Sequence, residues 1–169
     1  FGRIGKKLIK KCLGFDMKVI VYDPYVEEKV ITDLGGKKIL EFEKGLKEAD
    51  ILSLSTPLTD ETKNFISMKE MFLMKKNAII INISRGGVVN EEDLNTALNN
   101  KIISFAGIDV FDKEPPDTSN PLLKNKRVLL SPHAATFTKE GLEKMSLETV
   151  QNIIDFFEKK IDSTKIVQL

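Results

Sequence analysis

FGRIGKKLIKKCLGFDMKVIVYD, residues Phe1–Asp23, decides the fold. Gly2 and Gly5 stand three apart, ahead of a lysine-rich segment with helical apolar spacing over about Gly5 to Leu13. They match the later part of the pattern G-x-G-x-x-G, whose first glycine would precede Phe1. In that pattern one glycine lets the backbone approach a pyrophosphate and another lets the helix pack close to its strand. The free N–H groups at the helix start then bind the phosphates. The β-branched run MKVIVYD follows and ends on Asp23, 18 positions after Gly5. A dinucleotide-binding unit places an acid there to accept hydrogen bonds from ribose hydroxyls, and the same charge repels a ribose phosphate, favouring NAD over NADP. Part of a glycine pattern also fits a tight loop before a helix, and Asp-Pro is ordinary turn chemistry.

Outward from this stretch the chain alternates strands and helices. VEEKVITDLGG reads as a helix stopped by two glycines, and KKIL followed by EFEKGLKEAD repeats the step weakly. ILSLS is a short buried strand running into TPLTDETKN. ISMKEMFLMKK is a helix with its methionines on the packing side, and NAIIINIS is an apolar strand that stops at Ser84-Arg85-Gly86-Gly87. NEEDLNTALNN opens with acids that suit the helix dipole. ISFAGIDV and RVLLS are further strands, separated by the proline-bearing loop DKEPPDTSNP. The last helix carries Leu142, Met145, Val150, Ile153, Ile154, Phe157 and Ile161 as one apolar stripe. Valine- and isoleucine-rich strands alternating with helices predict an α/β fold, a doubly wound parallel sheet with helices on both faces. Ligands of such sheets bind beyond the carboxyl ends of the strands.

Composition narrows the partners. Of 169 residues, 26 are Lys or Arg and 25 Asp or Glu, so no basic field recruits nucleic acid. The single cysteine, Cys12, excludes an internal disulfide and packs in the first helix, and no apolar run reaches the roughly 18 residues of a membrane helix. A cytoplasmic protein without nucleic-acid or membrane partners is expected, and no metal ligand set is assigned.

Three further residues stand at or just beyond predicted strand ends: Arg85, Glu114 and His133, the only histidine. Each alone has a plain reading, as a surface arginine, a solvated loop acid and a loop histidine. Together they supply what hydride transfer to a ketone requires. Arg85 can clamp a substrate carboxylate through two parallel hydrogen bonds, His133 can give a proton to the developing alkoxide, and Glu114 can orient the imidazole and stabilise its charged form.

The blocks FGRIG, VYDPY, STPLTDETKNFI, INISRGGVVNEEDL, AGIDVFDKEPP and SPHAATFTKEG, in this order and spacing, resemble the D-isomer-specific 2-hydroxyacid dehydrogenases. The resemblance spans nearly the whole chain. It implies a Rossmann-like cofactor domain set within a smaller substrate domain, NAD as cofactor, and a small 2-hydroxy or 2-keto acid as substrate. It implies a homodimer through the cofactor domain as well. It implies that Arg85, Glu114 and His133 are catalytic, that Arg3 and Ile4 meet the pyrophosphate, and that Gly2 and Gly5 belong to the same cofactor site. Asp23 would meet the adenosine ribose, and Thr56 and Pro57 would line the adenine side. Ile83 and Ser84 would lie against the nicotinamide end, Asp109 would bond its carboxamide, and Ala135 would also belong to the cofactor site. Ser55 stands where many relatives have histidine, and Ala134-Ala135-Thr136 replaces a glycine-rich stretch.

On this basis residues 1–137 are expected to form the NAD-binding domain without its first strand. Residues 138–169 are expected to be a helix and tail returning to the substrate domain, the whole being a C-terminal fragment of a longer enzyme. Two alternatives stay open: an NAD(H)-sensing binding protein or corepressor of the same family, and a methyltransferase using S-adenosylmethionine, which leaves SRGG, KEPP and PHAA without a role.

Overall fold

The computed structural model describes residues 1–166. It divides into two compact units, Phe1–His133 and a second that begins at Ala134. The first unit alternates in the order α1 (Arg3–Leu13), β1 (Ile20–Tyr22), α2 (Glu28–Thr32), β2 (Lys37–Ile39), α3 (Phe42–Glu48), β3 (Ile51–Leu54), α4 (Met68–Leu73), β4 (Ile79–Asn82), α5 (Glu91–Asn99), β5 (Phe105–Ile108) and β6 (Val128–Leu130). The second contains α6 (Lys139–Phe157). Every strand pairing is parallel, as the alternation of strand and helix requires. The expected α/β architecture is therefore present.

The strands form two sheets, β1-β2 and β3-β4-β5-β6. The break falls between β1 and β3, the pair that the expected first strand would separate in a doubly wound order. The apolar interior is divided in the same way. One continuous core runs from Leu46 through Ile66, Met71, Ile80, Leu94 and Ile108 to Leu122, while the buried Ile9, Val21 and Ile31 lie outside it. The smaller core is closed by glycines. Gly35 turns the chain after α2 with φ +86°, and a Cβ on Gly36 would come within 2.7 Å of Ile9 Cδ1. A side chain there would force the tip of Ile9 to shift.

Local signals explain the rest. Glu70 accepts a hydrogen bond from the Ser67 N–H at 3.1 Å, and the Asn90 side chain accepts from the Asp93 N–H at 3.0 Å, fixing the starts of α4 and α5. Met71 and Met74 are buried, as their spacing predicted. α1 begins at Arg3, two residues ahead of the expected start, with Gly2 as its N-cap. Of the run MKVIVYD only Ile20–Tyr22 is paired, against β2 alone. Ile161, expected in the terminal stripe, falls beyond the end of α6 at Phe157, and α6 itself buries no residue.

Candidate active site

Parallel pairing puts the carboxyl ends of β3, β4, β5 and β6 on one edge of their sheet. Thr56 and Pro57 follow β3, while Ile83, Ser84 and Arg85 follow β4. Asp109 follows β5 directly, and His133 stands three residues beyond β6. Asp23 follows β1 in the other sheet.

The strongest pairing is that of Glu114 and His133. His133 Nδ1 lies 2.7 Å from Glu114 Oε2, and Oε1 accepts the Phe111 N–H at 3.0 Å. Both oxygens are thus engaged. The hydrogen bonds from His133 and then from Phe111 hold the Glu114 carboxyl below its ordinary range. An ionised carboxylate only accepts, so Nδ1 is the protonated nitrogen and Nε2 is left for other work. His133 adopts φ +52°, a left-handed conformation stabilised by its N–H donating to the Asp109 carbonyl at 2.8 Å. The imidazole remains half-exposed, open to a reactant.

Arg85 sits on a turn held from two sides. Gly87 takes φ +77°, and a Cβ on Gly86 would fall 1.8 Å from the Phe111 carbonyl oxygen. The double glycine therefore lets the Arg85 turn press directly on the backbone that leads to Glu114. Leu58 approaches Gly87 from the loop after Pro57, so the β3 loop joins the same surface. The guanidinium is exposed, and its Nη1 donates to the Ser84 carbonyl at 2.7 Å.

At the other end, α1 starts at the glycine turn without a side-chain cap, and a Cβ on Gly2 would meet nothing within 4 Å. This leaves room and backbone donors for an anion. Asp23 Oδ1 accepts the N–H groups of Tyr25 at 2.9 Å and Val26 at 3.1 Å, while Oδ2 pairs with the Phe1 α-ammonium. Burial raises the Asp23 pKa, but the α-ammonium and the two N–H groups outweigh it, and the net shift is downward. The donor set fits a dinucleotide: an open anion-binding helix start beside a charged acid with one oxygen committed to its own loop. Tyr22 packs tilted against Phe42, which stacks on Phe65, with ring centroids 5.1 and 4.7 Å apart, and the series ties the end of β1 to the larger core.

The chain belongs to the D-isomer specific 2-hydroxyacid dehydrogenase family, whose NAD binding domain model matches residues 1–135. Among family members, the chain is similar to glyoxylate reductase of Thermococcus litoralis, with 44% identity over 92% of the chain and 46% of that protein. It is 40% identical to D-3-phosphoglycerate dehydrogenase of Methanocaldococcus jannaschii over 83% of the chain and 26% of that protein. A crystal structure of D-lactate dehydrogenase with NAD+ from Lactobacillus jensenii superposes with TM-score 0.87 and 29% identity, covering 99% of this chain and 53% of that one. The chain thus spans about half or less of the family members it matches.

The first unit brings together Arg85, Glu114, His133, Ser84 and Asp109. Ala135 lies in the second unit. Two groups escaped the sequence reading. Asn82, 2% exposed, hydrogen-bonds the Arg85 turn; its only sequence signal is a polar residue closing an apolar strand. Ser131 donates its hydroxyl to Asp109 Oδ1, which no pattern marks. An open cleft of about 420 Å³ runs along Asn90, Glu91, Asp112 and Pro116 and includes none of the expected site residues.

Proposed function

We propose that this chain is the cofactor-binding part of an NAD-dependent oxidoreductase interconverting a small D-2-hydroxy acid and its 2-keto acid, of the phosphoglycerate dehydrogenase or hydroxypyruvate and glyoxylate reductase type. The observation that carries this reading is the Glu114–His133 pair at 2.7 Å, beside a turn that presents Arg85. A cofactor sensor has no use for an oriented proton donor.

Gly2, Arg3 and Ile4 would hold the pyrophosphate on the turn that Gly5 completes, and Asp23 the adenosine ribose, with Thr56 and Pro57 on the adenine side. Ile83, Ser84, Asp109 and Ala135 would complete the nicotinamide end. Bound there, NADH supplies the hydride. Arg85 holds the substrate carboxylate and polarises the neighbouring carbonyl. His133 gives its Nε2 proton to the oxygen as charge develops, and Glu114 keeps Nδ1 protonated and stabilises the imidazolium. In the reverse direction the same nitrogen takes the hydroxyl proton. Residues beyond Thr138 would return to a substrate domain, and the enzyme would act in the cytoplasm as a homodimer.

The test is a chimera in which this chain replaces the matched segment of the Thermococcus litoralis relative. NADH oxidation should be measured with glyoxylate and hydroxypyruvate. Turnover that disappears in His133→Asn, with NADH binding kept within a few-fold, is expected. A chimera that binds NADH, folds, and reduces no 2-keto acid would favour the sensor reading instead.

A further inference from the structure

We propose that Asn82 is a positioning residue that sets where the Arg85 guanidinium stands relative to His133. The inference rests on the reading of Arg85 as the substrate clamp. Asn82 is the last residue of β4, and its side chain is almost wholly buried. All of its polar atoms are used. Oδ1 accepts the Ser84 N–H at 3.1 Å and the Ser84 hydroxyl at 2.8 Å, and Nδ2 donates to the Arg85 carbonyl at 3.0 Å. Its own carbonyl accepts the Asp109 N–H at 3.0 Å, and the Asp109 carbonyl accepts the His133 N–H at 2.8 Å.

One residue therefore joins both arms of the site. The side chain closes the Ser84–Arg85 turn like a buckle, and the main chain reaches His133 through Asp109. A buried amide with a full set of partners fixes its neighbours tightly, because leaving any partner unsatisfied is costly. No apolar residue of similar size offers both a donor and two acceptor directions. The carboxamide also separates the two functions: Oδ1 orders Ser84, and Nδ2 alone reaches Arg85.

Amide exchange on the 169-residue chain tests the buckle without any activity. In Asn82→Ala the Ser84 amide should exchange at least tenfold faster, while Ile80 and Ile81 in β4 change less than threefold. In Asn82→Asp at pH 8 the Ser84 amide should stay protected, because its acceptor remains, while the Arg85 carbonyl loses its donor. Unchanged Ser84 exchange in Asn82→Ala, or equal loosening through all of β4, overturns the proposal.

In the chimera, both variants should raise KM for the keto acid at least tenfold with KM for NADH within twofold. Either should add less than twofold to the defect of Arg85→Ala. Losses that multiply in the double variant would show that Asn82 does not act through Arg85. An unaltered chimera without reductase activity would count against the proposed function, while the exchange result would still decide the role of Asn82 in the turn.

Discussion

Asp23 gives Oδ1 to its own loop, while its outward oxygen, Oδ2, pairs with the Phe1 α-ammonium, a place that a ribose hydroxyl would take on the proposed function. A ribose hydroxyl bonded to the outward oxygen gains a charge-assisted hydrogen bond worth about 1.5–3 kcal/mol, whereas a ribose phosphate meets a fixed negative charge. Asp23→Ser should therefore narrow the preference for NADH over NADPH by about tenfold or more, read from fluorescence titrations of the chimera. Equal affinity for both cofactors in the unaltered protein would sink the assignment. Glu114 is the second residue whose charge matters. Its carboxyl is held low by His133, so its contribution to stability is present above the ordinary carboxylate range and is lost as pH falls through the lowered value. His133→Asn tolerates the left-handed backbone but shortens the side chain. It should move the Glu114 pKa back up towards the ordinary range, visible in carbon-13 titration of the carboxylate. No movement would mean that the pair does not form in solution.

At the level of elements, the turn after β4 shows how much a glycine can decide. Gly86→Ala drives a methyl into the Phe111 carbonyl, so the turn must lift away from the Glu114 loop. Overpacking of this kind costs about 1–3 kcal/mol. Urea unfolding should record that loss, and turnover in the chimera should fall further than stability does. The elements that were legible in the sequence are those with strong periodicity or clear punctuation: β4 with its isoleucines, α5 with its acids, and α2 with its closing glycines. Arg85, Glu114 and His133 could be proposed from the sequence because they stand at or beyond predicted strand ends, and the structure pairs Glu114 with His133. Asn82 could not. A lone amide at the end of an apolar run carries no spacing, and its value appears only when its three partners are brought to it. The short pairing of β1 was hidden for a similar reason, since a β-branched run reveals the tendency to pair and not the number of partners.

For the whole molecule, the chain spans about half or less of its relatives' length, and α6 exposes large apolar side chains. Leu147, Phe156 and Phe157 are 72%, 62% and 78% exposed. Apolar stripes of this size promote association. The 169-residue chain should self-associate at micromolar concentration, and replacing Leu147 and Phe157 by Ser should reduce this in sedimentation runs. A strictly monomeric unaltered chain would contradict the expectation. Alone, the chain should reduce no 2-keto acid, because holding the substrate in place supplies about 7–11 kcal/mol of the barrier. Rates comparable to those of the chimera would show that the chain needs no second wall.

The divided core of the first unit has a thermal consequence. Ile9, Val21 and Ile31 lie under a pair of three-residue strands joined to the larger core through Tyr22, Phe42 and Phe65, whereas the larger core rests on four paired strands. Small ribbons of this kind are marginal on their own. Melting should accordingly occur in two steps, with the part that holds the glycine turn and Asp23 going first. On the proposed function NADH would be held by that part and would act as its ballast. Saturation at about a hundred times Kd adds roughly 2.7 kcal/mol to whatever the ligand holds. In calorimetry the lower transition should climb towards the upper one as NADH is added, until a single cooperative peak remains. Two transitions that rise in parallel would mean that the cores already melt as one.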